Sequence, residues 1–201
     1  MKSDQMRLAV FLKAPRAGAV KTRLAQAIGS RAALDAYQQM VDHLVEALQQ
    51  IPKLQLRFTP DDAAAEVNRW RSPSWEVRPQ GAGDLGQRLS AAFGELFSAG
   101  AERAVIIGSD CPWVTVQDIE EAWRRLADHD VVLGPAVDGG YWLIGLAQPQ
   151  PALFENISWS SSDVFEQTLA RATAAGLNIA LLRQLSDIDT VADWDCFRSA
   201  G

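Results

Sequence analysis

The chain reads as an α/β protein, a three-layer α/β/α sandwich whose sheet is mostly parallel with one antiparallel strand. Three observations predict this. Leu8–Leu12, Leu54–Phe58, Ala104–Ile107 and Val131–Leu133 are short, near-continuous apolar runs, the character of strands buried on both faces. Segments of helical spacing alternate with them along the chain, the order of a sheet whose parallel strands are joined by crossover helices. Val131–Leu133 and Tyr141–Leu146 stand too close together for such a crossover and enclose Asp138-Gly139-Gly140, so that connection is antiparallel.

The elements follow in order. Leu8–Leu12 is the first strand. The region from Val20 to Gln50 is helical and divided at Gly29-Ser30, with Ser30 expected to cap the second segment. Leu54–Phe58 ends at Thr59-Pro60-Asp61-Asp62, where Asp61 or Asp62 is expected to cap a short helix running towards Trp70. Trp75–Val77 is a brief strand. Leu85, Leu89, Phe93 and Leu96-Phe97 recur at helical spacing within Asp84–Phe97. The strand Ala104–Ile107 leads to the helix Val116–Leu126. After the close pair of strands come the helix Val164–Ala175, the strand Ile179–Leu182 and the helix Val191–Phe197. No repeat, linker or low-complexity tract divides the 201 residues, so 1–201 is expected to be one domain.

A hydrophobic fraction of 48% and a charged fraction of 22% are those of a soluble globular chain. The net charge of −6 argues against a broad nucleic-acid or anionic-membrane surface. No apolar run has membrane-spanning length, and Met1 to Met6 is too polar for a secretory signal. Cys111 and Cys196 form no metal-ligand pattern and are expected as free thiols of a cytoplasmic protein.

Positive charge nevertheless gathers in Lys13-Ala14-Pro15-Arg16-Ala17-Gly18-Ala19-Val20-Lys21-Thr22-Arg23-Leu24, directly after the first strand. A cationic turn running into a helix makes a polyphosphate cradle, because exposed N–H groups at the helix start meet the anion. Gly18 permits close backbone approach, Arg16 offers a two-bond clamp and Lys21 a point charge. Lys13, Ala14, Pro15 and Arg23 complete the candidate nucleotide-binding turn, although Arg23 serves equally as partner to a structural carboxylate. The competing reading is a solvated basic turn. The spacing is not that of a P-loop, and no G-x-G-x-x-G follows the first strand, which counts against a dinucleotide-binding oxidoreductase.

Val105-Ile106-Ile107-Gly108-Ser109-Asp110-Cys111-Pro112 sets a carboxylate just past a buried strand. Asp110 is placed to hold Mg²⁺ or Mn²⁺ between itself and donor phosphates, with Ser109 beside it; otherwise it caps the next helix. Asp138, Gly139, Gly140, Tyr141 and Trp142 form either a wall of the cleft, with Asp138 a second catalytic or metal-binding acid, or an ordinary hairpin. Asp187, Asp189 and Thr190 precede the last helix; Asp189 or Thr190 is expected as its N-cap, and Asp187 or Asp189 otherwise lies near the cation, with Asp189 a further metal ligand. Trp159 and the serines after it line the acceptor side or cap a helix. Gly81–Arg88 is expected to reach the cleft through Gln87 or Arg88. There is no G-x-S-x-G, and neither His43 nor His129 has an evident partner, which counts against a serine triad.

Taken together, Lys13–Leu24, Gly108–Pro112, Gly134–Gly145 and Asp187–Thr190 resemble the GT-A (Rossmann-like) superfamily of nucleotide-diphospho-sugar transferases. More narrowly they resemble the bacterial glycosyltransferase-like DUF2064 group, which is similar to 2-phospho-lactate guanylyltransferases. The resemblance implies a metal-dependent transferase with a nucleotide or nucleotide-sugar donor near the first strand, a small-molecule acceptor, and Asp110 as the metal-binding acid. Asp110, Asp138 and Lys21 are then the catalytic group, with Asp138 or Asp189 completing the metal site. The resemblance favours glycosyl transfer. The spacing favours nucleotidyl transfer, because Pro112 stands where many glycosyltransferases carry the second acid of Asp-x-Asp. A nucleotide-binding module without turnover is the non-enzymatic alternative.

Overall fold

The computed structural model describes residues 5–200. Among them the elements run β1 (Met6–Lys13), α1 (Thr22–Ile28), α2 (Ser30–Ala47), β2 (Leu54–Thr59), α3 (Ala64–Val67), β3 (Glu76–Pro79) and α4 (Leu85–Ser98). They continue with β4 (Arg103–Gly108), α5 (Val116–Arg125), β5 (Val131–Pro135), β6 (Tyr141–Leu146), α6 (Val164–Ala174), β7 (Ile179–Leu181) and α7 (Val191–Ala200). The strands form one sheet in the order β3-β2-β1-β4-β6-β5-β7. β1 pairs in parallel with β2 and β4, β2 with β3, and β5 with β7, whereas β6 is antiparallel to both β4 and β5. The reversed strand is the one introduced by the Asp138-Gly139-Gly140 turn, as the short connection requires.

The apolar runs are explained by burial on both faces. Leu8, Val10 and Leu12 of β1 enter a core with Tyr37, Val41 and Leu44 of α2 and Ile119 and Ala122 of α5. Ala9 and Phe11 enter the opposite core with Leu89, Phe93 and Leu96 of α4. Alternate side chains thus face different cores, and neither set can be polar. A third cluster joins Leu24 of α1, Ala33 and Met40 of α2, and Ile188 and Trp194 of the final segment. It pins the last loop of the chain against the helix that follows the basic turn.

Local capping differs from expectation at two places. Gly29, not Ser30, caps α2, because its φ of 85° is a conformation that glycine adopts without strain. Ala63 precedes α3, and neither Asp61 nor Asp62 caps it: Asp61 Oδ1 accepts from Gly81 N at 3.3 Å, and Asp62 pairs with Arg16. Trp75 lies before β3 rather than in it, buried with its Nε1 donating to Ile51 O at 3.0 Å. No helix among the described residues is long and apolar enough to cross a membrane.

Every strand except β6 points its carboxyl end to one edge of the sheet, and β6 begins there. In open α/β sheets ligands bind beyond that edge. Lys13, Thr59, Gly108 and Tyr141 mark its rim.

Candidate functional site

The floor is set by Lys21. The turn after β1 folds back so that Lys21 caps α1 with a left-handed backbone (φ 46°, ψ 49°). That conformation costs a non-glycine residue about 1–2 kcal/mol, and it turns the side chain inwards until only 2% is exposed. Its Nζ lies 2.5 Å from Asp110 Oδ1 and 3.4 Å from Asp189 Oδ1. Burial opposes the ammonium, but Asp110 and then Asp189 outweigh it and hold its pKa above the ordinary lysine value. Arg23 Nη1 reaches Asp189 Oδ2 at 3.4 Å.

The acids converge from distant parts of the sequence. Asp110 leaves the end of β4 and caps nothing, because Thr115 and Asp118 form a capping box at the start of α5. The carbonyl of Asp110 accepts from Ile188 N at 3.1 Å, which stitches the late loop to the end of β4. Capping of α7 falls to Thr190, whose Oγ1 accepts from Asp193 N at 3.3 Å, while Asp193 Oδ2 accepts from Asp189 N and Thr190 N. Asp189 is therefore free to face Lys21 and Arg23. Asp187 is raised to about 7, first by burial and then by the charges of Asp110 and Asp138, against the pull of Lys21. Beneath these groups the Tyr37 hydroxyl donates to Lys13 O at 2.9 Å, accepts from Lys13 N at 3.0 Å and lies 3.2 Å from Ser109 Oγ. It ties the ends of β1 and β4 together.

These groups open on a cleft of about 640 Å³ lined by Lys13, Lys21, Arg23, Ser109, Asp110, Asp138, Gly140, Tyr141, Trp159 and Asp189, with Asp187 and Arg88. Its far wall is the β5–β6 hairpin. Asp138 Oδ1 accepts from Gly140 N at 2.9 Å, as in a hairpin turn, and Asp138, Gly140 and Tyr141 also line the cleft. Gly139 (φ 89°) sits so close to the next loop that a Cβ there would lie 1.9 Å from Ser162 O. Gly86 is pressed in the same way against the Trp159 indole. The hairpin, the start of α4 and the Trp159–Ser162 loop therefore interlock, and Ser160, Ser161 and Ser162 line the cleft.

Several expected residues stand elsewhere. Arg16 Nη2 binds Glu66 Oε1 at 2.6 Å and Asp62 Oδ1 at 3.0 Å, and Arg16 is not among the residues lining the cleft. Those two carboxylates hold the guanidinium above its ordinary pKa. Ala14 is buried, with its N–H donating to Thr59 O at 2.8 Å, and neither Pro15 nor Gly18 lines the cleft. Gln87 is spent in a capping box with Asp84; its neighbour Arg88 faces the cleft instead. Sequence reasoning missed Tyr37 and Gln80. Helical spacing marks Tyr37 only as core, and a lone glutamine after a strand carries no signal.

The acids suit a hard divalent cation in chemistry but not in number. Among the described residues no three His, Cys, Asp or Glu side chains gather into a cage. Mg²⁺ does not require one, since it keeps several waters and takes one or two carboxylates plus substrate phosphates. Asp187 is raised first by burial and only then by Asp110 and Asp138, so the repulsion between acids, which a bound cation would relieve, is the smaller cause. Cys111, beside Asp110, is pushed up to about 12 by burial and by Asp187; Mg²⁺ and Mn²⁺ prefer oxygen ligands to a thiol.

The sequence profile of the family described as "Uncharacterized protein conserved in bacteria (DUF2064)" matches residues 40–161. A phosphoenolpyruvate guanylyltransferase from Chloroflexus aggregans (strain MD-66 / DSM 9485) is 25% identical over 169 residues, 81% of each chain. A candidate nucleotide-diphospho-sugar transferase from Desulfovibrio desulfuricans G20, solved by crystallography, is 31% identical with a TM-score of 0.90, covering 96% of this chain and 86% of that one. Rv0371C from Mycobacterium tuberculosis H37Rv, solved in complex with manganese, shares the fold at 15% identity and a TM-score of 0.52, covering 98% of this chain and 100% of that one.

Proposed function

This chain belongs to the DUF2064 family of bacterial proteins, and on that premise we propose that it is a metal-dependent nucleotidyltransferase, using an NTP and a small phosphorylated acceptor. The relatives reported above at a quarter identity or more carry transferase names, and the chain is a transferase. The observation that carries the finer reading is the convergence of Lys21, Asp110 and Asp189 at the floor of one cleft, 2.5 and 3.4 Å apart, from three remote parts of the sequence. A cation and several acids in one place suit a polyphosphate that arrives with its own divalent ion. The second acid comes from Asp187 or Asp189 and not from the position of Pro112, which supports nucleotidyl transfer, as does the name of the guanylyltransferase relative.

An oxygen of the acceptor phosphate attacks the α-phosphorus of the NTP, the bond to the bridging oxygen breaks, and pyrophosphate leaves with the electron pair. Lys21 stands under the departing phosphates and offsets their charge, with Lys13 and Arg23 at the rim. Asp110, with Asp187 or Asp189, would hold Mg²⁺ or Mn²⁺. When bound, that ion screens the phosphate oxygens and stabilises the leaving pyrophosphate. Asp138, braced by Gly140 N–H, orients the acceptor.

Glycosyl transfer from an NDP-sugar is the second reading, favoured by the name of the 31% identical solved relative. Purified protein with Mg²⁺, each NTP and a panel of phosphorylated acceptors, phosphoenolpyruvate among them, decides between the two. Acceptor-dependent pyrophosphate release is the expected result. Acceptor-dependent NDP release from NDP-sugars would replace it with the second reading, and nucleotide binding without either product would leave a binding module.

A further inference from the structure

Two acids share one lysine at the bottom of the cleft. Lys21 Nζ lies 2.5 Å from Asp110 Oδ1 and 3.4 Å from Asp189 Oδ1. The lysine side chain is 2% exposed, whereas the two carboxylates are 51% and 36% exposed. The point within reach of both acids is thus already filled, by an ammonium of the chain itself. The backbone holds it there. Lys21 caps α1 in the left-handed region, and Ile188 N donates to Asp110 O at 3.1 Å, which fixes the loop carrying Asp189 against the end of β4. The wider cleft is balanced in the same way. Asp110, Asp138, Asp187 and Asp189 line it together with four cations, so with every carboxylate ionised the empty cleft has no net formal charge. These cations differ in how ready they are for a phosphate. Arg88 is held by neutral acceptors, Nη1 by Gln80 Oε1 at 2.9 Å and Nε by Asp84 O at 3.2 Å. Lys21 has to leave Asp110 first.

Resting on the metal-dependent nucleotidyltransferase reading above, we infer that Lys21 stands in for the divalent cation in the empty site. It weakens the binding of a free metal ion to Asp110 and Asp189, and it passes to the phosphates when nucleotide arrives, so that metal and nucleotide bind cooperatively. A divalent ion shared by the two acids competes with the ammonium for the same oxygens. One bound to Asp110 alone stands a few ångströms from a buried positive charge that water and salt screen poorly. A polyphosphate changes both conditions. It gives Lys21 another anionic partner, and it supplies phosphate oxygens that complete the coordination of the ion. Each ligand then favours the other, and linkage requires the same factor in both directions.

Mn²⁺ without nucleotide is the first probe, followed by the EPR signal of the free ion. It is titrated into wild type, Lys21→Met, Arg23→Met and the double variant Lys21→Met/Asp110→Asn, each shown by thermal melting to fold. Lys21→Met is expected to bind Mn²⁺ roughly 10-fold or more tightly than wild type, and Asp110→Asn to remove that gain. Arg23→Met takes the same charge from Asp189 without vacating the shared point, and is expected to gain no more than about threefold. Equal gains in the two single variants would reduce the effect to general charge and overturn the inference. So would a Lys21→Met chain that binds Mn²⁺ no more tightly than wild type. Wild type alone supplies a second measurement, independent of how any variant folds. Dissociation constants of the α,β-methylene analogues of GTP and ATP, in EDTA and at saturating Mn²⁺, are expected to differ by roughly 10-fold or more; equal constants overturn the inference. Absence of Mn²⁺ binding from every chain, with and without nucleotide, is a different result: it removes the metal site and the metal-dependent reading with it.

Discussion

Asp187→Asn should make the metal-free protein more stable and the enzyme inactive. The carboxyl rises from the ordinary 3.8 to about 7, because it is buried and flanked by Asp110 and Asp138. At about 1.4 kcal/mol per pH unit, the ceiling on what its ionisation takes from the fold is about 4 kcal/mol. A raised folded-state pKa leaves stability intact below the unfolded value near 4. Stability is then lost as the pH climbs through about 7, and the loss is complete above it. Asparagine carries no such charge. Urea unfolding followed by tryptophan fluorescence, in EDTA at pH 4 and pH 8, should therefore show near equality at pH 4 and a variant more stable by up to about 4 kcal/mol at pH 8. Adding Mn²⁺ at pH 8 should stabilise wild type and close part of the gap, since an ion that binds only the folded state raises its stability. Equal margins at both pH values, or a variant weaker than wild type at pH 8, would refute the argument that these acids are crowded around a partial cation site.

Two further substitutions probe the geometry. Arg16→Ala should leave nucleotide affinity within about twofold of wild type, because Arg16 is bound to Glu66 and Asp62 outside the cleft; a loss of tenfold or more in a binding titration would return it to the phosphate site. Gly139→Ala should cost roughly 1–3 kcal/mol in thermal or urea unfolding, since its Cβ would lie 1.9 Å from Ser162 O and its φ of 89° suits no side chain. An unchanged midpoint would mean that the hairpin and the serine loop do not interlock as described.

The α/β class, the order of the elements and the reversed strand at Asp138-Gly139-Gly140 were all legible, because strands covered on both faces must be apolar throughout and a two-glycine turn leaves no room for a helix. The positions of Lys21, Asp110 and Asp138 along the cleft were legible as well, since each follows a recognisable strand or turn at the edge where ligands collect. What the chain did not announce is who would compete for each side chain. Arg16 and Lys21 lie in the same cationic run, yet one is drawn off by Glu66 on a helix fifty residues away while the other is turned inwards by a left-handed backbone. Gln87 and Arg88 are neighbours with equal claims on the cleft, and a capping box took one of them.

Sequence by itself determined the scaffold and the charges at its edge, because periodicity and turn chemistry are local and survive without knowledge of distant partners. Only the tertiary structure decided which of those charges meet. Ion pairs and hydrogen bonds are contests between groups remote in sequence, such as Lys21 with Asp189 or Arg88 with Gln80, and their winners are settled by distances of a few ångströms that no spacing along the chain records.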